Sequence, residues 1–219
     1  MLHFIDISSW QGDIDLSPLP IDAVIVKATQ GTGYVNEFCD KKIQQAIQLG
    51  IPWGFYHFAD DGDAIEEADY FIKNCLNYFG NGIPVLDWEY DQSVEWVNEF
   101  VNRVHQVTGV WCWIYANPWR FELGDIEPNC MRWVASYPDV ESPSFEQAES
   151  WDCPDAPGLV GAWQFCSDGM LDGYDGYLDC NMFYGDIDAW KSYAGVPVKD
   201  MAEPSEQVFE CEHFRIEVK

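Results

Sequence analysis

Basic residues are scarce in this chain, and their scarcity excludes whole classes of partner. The 219 residues include 11 lysines and arginines against 38 aspartates and glutamates, for a formal net charge of −27. No basic stripe offsets this charge, so nucleic acid and anionic membranes are excluded as partners. No apolar run reaches the length of a membrane span, which predicts that the chain does not insert into a bilayer.

Several motifs are missing as well. The glycine-containing loop 29–33 lacks the Gly-x-x-x-x-Gly-Lys-Ser/Thr spacing of a phosphate-binding loop. None of the eight cysteines forms a Cys-x-x-Cys pair, and no zinc-finger spacing or local cluster of oxygen ligands is present. We therefore expect neither a metal nor a cofactor. The stretch Met1–Asp6 does not resemble a signal peptide, so we expect mostly reduced, buried thiols.

Apolar and aromatic residues, in contrast, are abundant. The sequence is 47% hydrophobic and 16% aromatic, with eleven tryptophans, which is enough for one sizeable domain with its own core. Tryptophan and tyrosine stack on sugar rings, but they also fill the interiors of barrels, so this composition suits either use.

The order of apolar segments predicts the fold class. Strand-like segments occupy residues 2–7, 23–28, 53–58, 83–86, 110–115, 132–137, 159–165 and 177–181. Amphipathic helices are predicted at 36–49, 63–79 and 93–107, and the later strands are joined by loops rich in Pro, Gly, Asp and Ser. This pattern predicts an α/β fold, an incomplete TIM-like barrel. A doubly wound open sheet is the alternative, but it would not explain why helices stop after the fifth strand.

Acidic residues follow several of these strands. The apolar run Ile83–Leu86 ends in Asp87-Trp88-Glu89, and strand alternation places the two acids on one face, with Cα atoms about 6.5–7 Å apart. Asp6 ends the first strand and Asp179 lies on the eighth. Functional residues of such barrels gather at the C-terminal ends of the strands, so these carboxylates should meet at one mouth. Glycosidases use such pairs, although an N-cap and a surface acid would look the same in sequence.

Eight short motifs, in order, resemble glycoside hydrolase family 25, the Chalaropsis-type lysozymes found in many phage endolysins. The similarity covers roughly residues 2–192. The matching stretches are residues 6–15, 24–31, 54–58, 84–89, 113–117, 133–137, 162–165 and 178–181.

This resemblance implies five β/α units followed by three strands without helices, in a flattened barrel. It also implies hydrolysis of the β-1,4 bond between N-acetylmuramic acid and N-acetylglucosamine in peptidoglycan. Carried over to this sequence, it makes Glu89 the general acid/base and Asp87 the stabiliser of positive charge, with Asp6 and Asp179 as the other acids of the groove. We expect a raised pKa for Glu89, an ionised Asp87 and retention of anomeric configuration. Gln30 is a departure, because the family often has Glu there.

Further residues near strand ends are candidates for substrate binding, with aromatic core as the alternative. They are Tyr56, Tyr115, Trp133, Tyr137, Gln164 and Lys27. Lys27 could pair with a carboxylate or be solvated, and His57 is expected to be a hydrogen-bonded core histidine.

The domain prediction is a catalytic barrel over residues 1–194. Residues 195–219 are predicted to be an acidic linker and tail, with a following wall-binding module left open, and Val208–Val218 to be a last strand carrying His213. Alternative functions are a non-catalytic glycan-binding barrel and a hydrolase of chitin-like polymers, whose longer Asp-x-x-Asp-x-Asp-x-Glu run is absent. We expect a monomer made in the host cytoplasm, which acts on the wall after release by a holin-type partner.

Overall fold

Eight strands close into a barrel. The computed structural model describes residues 1–195 in full and the backbone of Val208–Cys211 and Phe214–Glu217. The barrel strands are β1 (Leu2–Ile7), β2 (Ala23–Gln30), β4 (Trp53–Phe58), β5 (Ile83–Asp87), β6 (Trp113–Ala116), β7 (Arg132–Ala135), β8 (Val160–Gly169) and β9 (Leu178–Phe183), and the short β3 (Tyr34–Val35) pairs with the end of β2. Because β1 pairs with both β2 and β9, the sheet is closed, which confirms the TIM-like barrel and excludes the open sheet.

The last barrel strand runs against the others. From β1 through β8 the neighbouring barrel strands are parallel, whereas β9 is antiparallel to both β8 and β1. Its first residues therefore lie at the end of the barrel where the parallel strands finish. Functional residues of such barrels lie at the C-terminal ends of the parallel strands. Asp179 lies near the start of its strand, and it meets them only because the reversal of β9 brings that start to the same end of the barrel.

Three long helices cover the early crossovers, as predicted. They are α1 (Cys39–Leu49), α2 (Ala64–Cys75) and α3 (Val94–Thr108). The side chains of Asp63 and Ser93 cap α2 and α3 by accepting backbone N–H groups of the first turn. Gly50 and Gly109 end α1 and α3 with φ of 72° and 76°, a left-handed conformation that favours glycine.

The other connections contain only short helices. Single 3₁₀ turns, Ser9–Gln11 and Pro118–Glu122, follow β1 and β6. Later, α4 (Phe145–Glu149) lies between β7 and β8, and α5 (Ile187–Tyr193) follows β9. The first and fifth crossovers therefore do not contain the full helices that the resemblance implied.

Aromatic side chains fill the barrel interior. Phe4 contacts Trp133 and Trp190 at ring-centroid distances of 5.3 and 5.4 Å, and Trp113 stacks on Phe183 at 5.3 Å. These rings are buried, as are the apolar faces of α1, α2 and α3 against the outside of the strands. Much of the tryptophan content is thus explained by the core alone.

The tail and the thiols were also predicted from sequence. Val208–Cys211 (β10) and Phe214–Glu217 (β11) form an antiparallel pair rather than the single predicted strand, and His213 lies outside the described residues. Six cysteines of residues 1–195 are buried free thiols, in line with the expectation of reduced cysteines: Cys39, Cys75, Cys112, Cys130, Cys166 and Cys180. Among the described residues, no helix combines the length and the apolar character needed to cross a bilayer.

Candidate active site

A cavity of about 260 Å³ opens where the parallel strands end, and we call it the mouth. Its lining contains all ten predicted site residues: Asp6, Lys27, Tyr56, Asp87, Glu89, Tyr115, Trp133, Tyr137, Gln164 and Asp179. A larger cavity of about 700 Å³ lies among α1, α2 and α5, but its lining includes only one carboxylate, Asp40. The concentration of acids in the mouth makes the smaller cavity the candidate site.

Asp6 is held by two amides. It is buried at the end of β1 and accepts hydrogen bonds from Gln164 Nε2 at 2.8 Å and Asn181 Nδ2 at 2.9 Å. Burial raises its pKa to about 6, although both hydrogen bonds act in the opposite direction. Asp6 is therefore an orientated acid that can change charge near neutral pH.

Asp87 is buried with less compensation. One oxygen of its carboxyl group, Oδ1, has no hydrogen-bond partner among the residues that the structure describes. Burial, followed by the charges of Glu89 and Asp6, raises its pKa well above 3.8, and Lys27 only partly opposes this. This direction opposes the expectation that Asp87 is ionised, because a desolvated carboxyl beside other acids holds its proton more tightly.

Asp179 faces Asp6 across the β1–β9 pair, where the two residues are Cα partners. Burial and the charge of Asp6 raise the pKa of Asp179 to about 9. Two acids brought this close cannot both be charged without a free-energy penalty, so a proton is retained on one of them.

Glu89 stands at the rim, two residues past Asp87, and is the most exposed of the four acids. Desolvation raises its pKa, while the charges of Lys27 and Arg120 and a hydrogen bond from Asp87 lower it. A raised pKa for Glu89 agrees with the expectation. Its position leaves the carboxyl within reach of a molecule entering from solvent.

Lys27 is the cation of the mouth. Its Nζ donates to Gln30 Oε1 at 2.7 Å and lies 4.4 Å from the ring centroid of Phe58. Burial lowers its pKa, against the charges of Asp87, Glu89 and Asp60. Because Gln30 brings no negative charge to this contact, the charge of Lys27 is balanced by the acids of the mouth.

A chain of hydrogen bonds orientates the amide that holds Asp6. Tyr115 and Tyr137 donate their hydroxyl groups to Gln164 Oε1 at 2.7 and 2.5 Å, which leaves the Gln164 amide nitrogen to donate to Asp6. Trp133 Nε1 donates to Asn181 Oδ1 at 2.9 Å and fixes the second amide in the same way.

The aromatic candidates serve the core and the mouth at once. Tyr56, Tyr115 and Trp133 are buried in the barrel interior, as the core interpretation expects, and they also line the cavity. Their role in substrate binding stays a prediction. Burial, followed by the charge of Asp87, raises the pKa of Tyr56 well above 10.

Sequence reasoning missed Trp10 and Asn181. Trp10 lies on the mouth and is 91% exposed, and Ser8, whose hydroxyl accepts the Trp10 N–H at 3.2 Å, fixes the turn that carries it. An aromatic residue in the polar loop after the first strand was the available signal for Trp10. Asn181 lies within a matched motif, but its hydrogen bond to Asp6 spans 175 residues.

His57 lies behind the mouth in a fully buried network. Its Nδ1 is 2.8 Å from Thr29 Oγ1, and its Nε2 is 3.0 Å from Glu67 Oε2. Burial lowers the pKa of His57, although Glu67 acts to raise it. His57 is thus the hydrogen-bonded core histidine that was expected.

Together these groups suit proton transfer to and from a bound polar molecule. Acids whose pKa values are separated by burial, and aromatic walls beside them, are a common arrangement in glycosidases.

The comparisons with known proteins point in the same direction. The family model described as glycosyl hydrolases family 25 matches residues 5–174, a range that includes Asp6, Asp87 and Glu89. The N,O-diacetylmuramidase of Chalaropsis sp is 32% identical over 136 residues, which cover 52% of this chain and 64% of that protein. Lysozyme M1 of Streptomyces globisporus is 28% identical over 207 residues, which cover 83% of this chain and 67% of that protein.

Among solved structures, the lysozyme of Streptomyces coelicolor is similar over most of both chains. The TM-score is 0.72 at 25% identity, covering 89% of this chain and 97% of that one. The alignment with the Chalaropsis protein, by contrast, spans less than two thirds of that relative's length.

Proposed function

Because the chain belongs to glycosyl hydrolase family 25, we propose that it is a muramidase that cleaves the β-1,4 bond between N-acetylmuramic acid and N-acetylglucosamine in peptidoglycan. The observation that carries this proposal is the convergence of Asp6, Asp87, Glu89 and Asp179 in one mouth. Two relatives are named N,O-diacetylmuramidase and lysozyme, and these names support the same substrate class.

Glu89 is the proposed general acid/base. It lies at the rim, where the glycosidic oxygen of an entering glycan strand can reach it, and desolvation raises its pKa toward the working range of an acid catalyst. In the first step its proton passes to the glycosidic oxygen as the bond to the anomeric carbon breaks. In the second step its carboxylate takes a proton from the attacking water.

Asp87 is the proposed partner of the substrate's N-acetyl group. Its buried Oδ1 has no partner among the described residues and is a ready acceptor for the acetamido N–H. We propose that in the free protein the proton shared by Asp87 and Glu89 stays on Asp87, whose pKa is raised by burial and which hydrogen-bonds to Glu89. Binding of the N–H favours an ionised Asp87, and the proton moves to Glu89, where the reaction needs it.

The N-acetyl oxygen is the proposed nucleophile. It attacks the anomeric carbon from the face opposite the leaving oxygen, and the positive charge on the resulting ring faces ionised Asp87. Water then opens this intermediate from the first face, so the configuration is retained. Asp6 and Asp179 are the other two acidic groups of the mouth, and they keep its polar side chains acidic and in a fixed orientation.

Digestion of purified peptidoglycan tests the proposal. We expect a fall in turbidity, new reducing ends on N-acetylmuramic acid, and the β-anomer as the first product seen by proton NMR. Reducing ends on N-acetylglucosamine would contradict the bond assignment, and an α-anomer formed first would contradict retention. Tight glycan binding without products would support the alternative, a non-catalytic glycan-binding barrel.

Residues 195–219 are proposed to be a linker and tail outside the catalytic barrel. We also propose that the protein is a monomer, is made in a host cytoplasm and reaches the wall only with a holin-type partner. Expression in a susceptible host with and without a membrane-permeabilising protein tests release, and prompt lysis without that protein would contradict it.

A further inference from the structure

Arg120 contacts the backbone that carries Glu89. It lies in the 3₁₀ turn Pro118–Glu122 after β6 and is only 6% exposed. Its Nη2 donates to the carbonyl of Glu89 and its Nη1 to the carbonyl of Tyr90. The backbone bond from Trp88 N–H to Tyr115 O, 2.9 Å long, carries the β5–β6 pairing one residue past the strand, and Arg120 then holds the next two carbonyls.

Two indole rings lie close to the guanidinium group. Arg120 Cζ lies 5.4 Å from the ring centroid of Trp88 and 4.6 Å from that of Trp119. Trp88 is fully buried and donates its Nε1 hydrogen to Gln92 O at 3.1 Å, while Trp119 is half exposed and covers Arg120 from solvent. A buried guanidinium group beside two rings has little freedom, which suits a contact to two carbonyls.

We propose that Arg120 is a positioning residue that sets where the Glu89 carboxyl stands in the mouth and keeps a positive charge next to it. This inference rests on the proposed function, in which Glu89 transfers the proton. Arg120 contacts backbone rather than substrate, so its effect on the reaction passes through Glu89.

The charge of Arg120 acts on Glu89 together with that of Lys27. Both lower the pKa of Glu89 against desolvation. The other titratable groups that interact electrostatically with Glu89 come from several strands and the loop after β7: Asp6, Tyr56, Asp87, Tyr115, Tyr137 and Asp179. Removing Arg120 would leave Lys27 as the cation facing this acidic group.

Two substitutions separate the charge from the geometry. Arg120→Met removes both, and Arg120→Lys keeps the charge but cannot donate to both carbonyls in one plane. Arg103→Met is the matched control, because Arg103 is a surface arginine paired with Asp69 at 2.7 Å on the helical side of the barrel. Circular dichroism and thermal unfolding establish that each variant is folded.

The first measurement follows hydrolysis of soluble glycan against pH. We expect Arg120→Met to lower kcat by roughly 10- to 10²-fold, because Glu89 is displaced, and to move the alkaline limb of kcat/KM to higher pH. Arg120→Lys should lower kcat without moving the alkaline limb of kcat/KM. Arg103→Met should match the parent protein in both. Loss of rate in Arg120→Met without movement of the limb would show a packing role only and overturn the inference.

The second measurement needs no substrate. Carbon-13 NMR titration of labelled glutamate carboxyls, with Glu89 assigned from its loss in Glu89→Gln, reports the pKa of Glu89 directly. We expect it to rise in Arg120→Met and to be unchanged in Arg103→Met. An unchanged pKa of Glu89 in Arg120→Met would overturn the inference, even if none of the variants cleaves glycan. If the parent protein does not cleave glycan, that result counts against the proposed function alone.

Discussion

Two buried carboxyl groups of this barrel, Glu67 and Asp87, have opposite surroundings. Glu67 on α2 is fully buried, and its oxygens accept hydrogen bonds from Asp60 N–H at 3.0 Å and Gly62 N–H at 2.8 Å, beside the 3.0 Å contact with His57. Asp87 is buried too, but its Oδ1 has no partner among residues 1–195.

The difference in hydrogen bonding distinguishes an acid that stabilises the fold from an acid that is available for chemistry. A buried acid whose oxygens are all bonded fixes what it touches, and Glu67 fixes the loop that follows β4. A buried acid with an open oxygen is unfavourable for stability, and such a group is retained where a ligand completes it. The two acids thus predict different losses when each is replaced by its amide.

The largest effect is expected from Glu89→Gln, which tests the mouth, the region on the Asp87 side of the comparison. The amide keeps the shape but has no acidic proton, so wall hydrolysis should fall by about 10³-fold or more while thermal unfolding is unchanged. Turbidity and product assays on purified walls measure this. Retention of more than a few per cent of the rate would contradict the assignment of Glu89.

Asp87→Asn should come next in size. Loss of the charge that faces the developing positive centre should lower kcat by on the order of 10²-fold. Because the replaced carboxyl group is buried with a raised pKa and its Oδ1 has no partner among the described residues, the free energy of unfolding should stay the same or increase. Kinetics and thermal unfolding of one preparation check both halves, and a large loss of stability would show that Asp87 is structural.

Glu67→Gln is the mirror experiment. The amide cannot accept from His57 and both loop N–H groups as a carboxylate does, so the free energy of unfolding should fall by about 1–3 kcal/mol. The folded fraction should keep most of its kcat, since Glu67 does not line the mouth. Urea unfolding with active-fraction correction measures this, and a stable but inactive variant would erase the distinction between the two acids.

Asp179→Asn should produce a smaller change with a defined pH dependence. The folded pKa of about 9 lies above the unfolded value of 3.8, so the folded state binds more protons between them and stability falls as pH rises through this window. The amide removes that dependence and should gain about 1 kcal/mol or more near pH 8, with little change near pH 3.5. Unfolding curves of the parent protein and the variant at both pH values test this. An equal change in the free energy of unfolding at both would contradict the proton linkage.

His57 changes stability in the opposite direction. Its pKa is lowered by burial, so the unfolded state binds more protons below 6.5 and stability is lost as pH falls through that region. The network therefore loses stability as pH falls, whereas the mouth loses stability as pH rises.

The smallest effect is expected from truncation after Gly195. Both halves of the comparison lie within residues 1–195, so hydrolysis of soluble glycan should change less than tenfold. A larger loss would show that residues 196–219 pack on the barrel, and the linker proposal would fail.

The sequence predicted the positions of the acids better than their protonation. Asp6 and Asp87 each end an apolar run, and that local pattern was enough to place both at the mouth. The raised pKa of Asp87 depends on burial and on charges that include those of other strands, which no local pattern contains. Arg120 was missed for the same reason, because its contacts with Glu89 and Tyr90 join two loops about 30 residues apart.

A growing polypeptide cannot assemble the mouth until β9 has left the ribosome. Asp6 lies on β1, but its amide partners Gln164 and Asn181 follow 158 and 175 residues later in the chain. Closure of the barrel between β1 and β9 also waits for those residues, so pairing of such high sequence separation comes late in folding. The mouth is thus completed only as the barrel closes, and until then Asp6 lacks the amide group of Asn181 that orientates it.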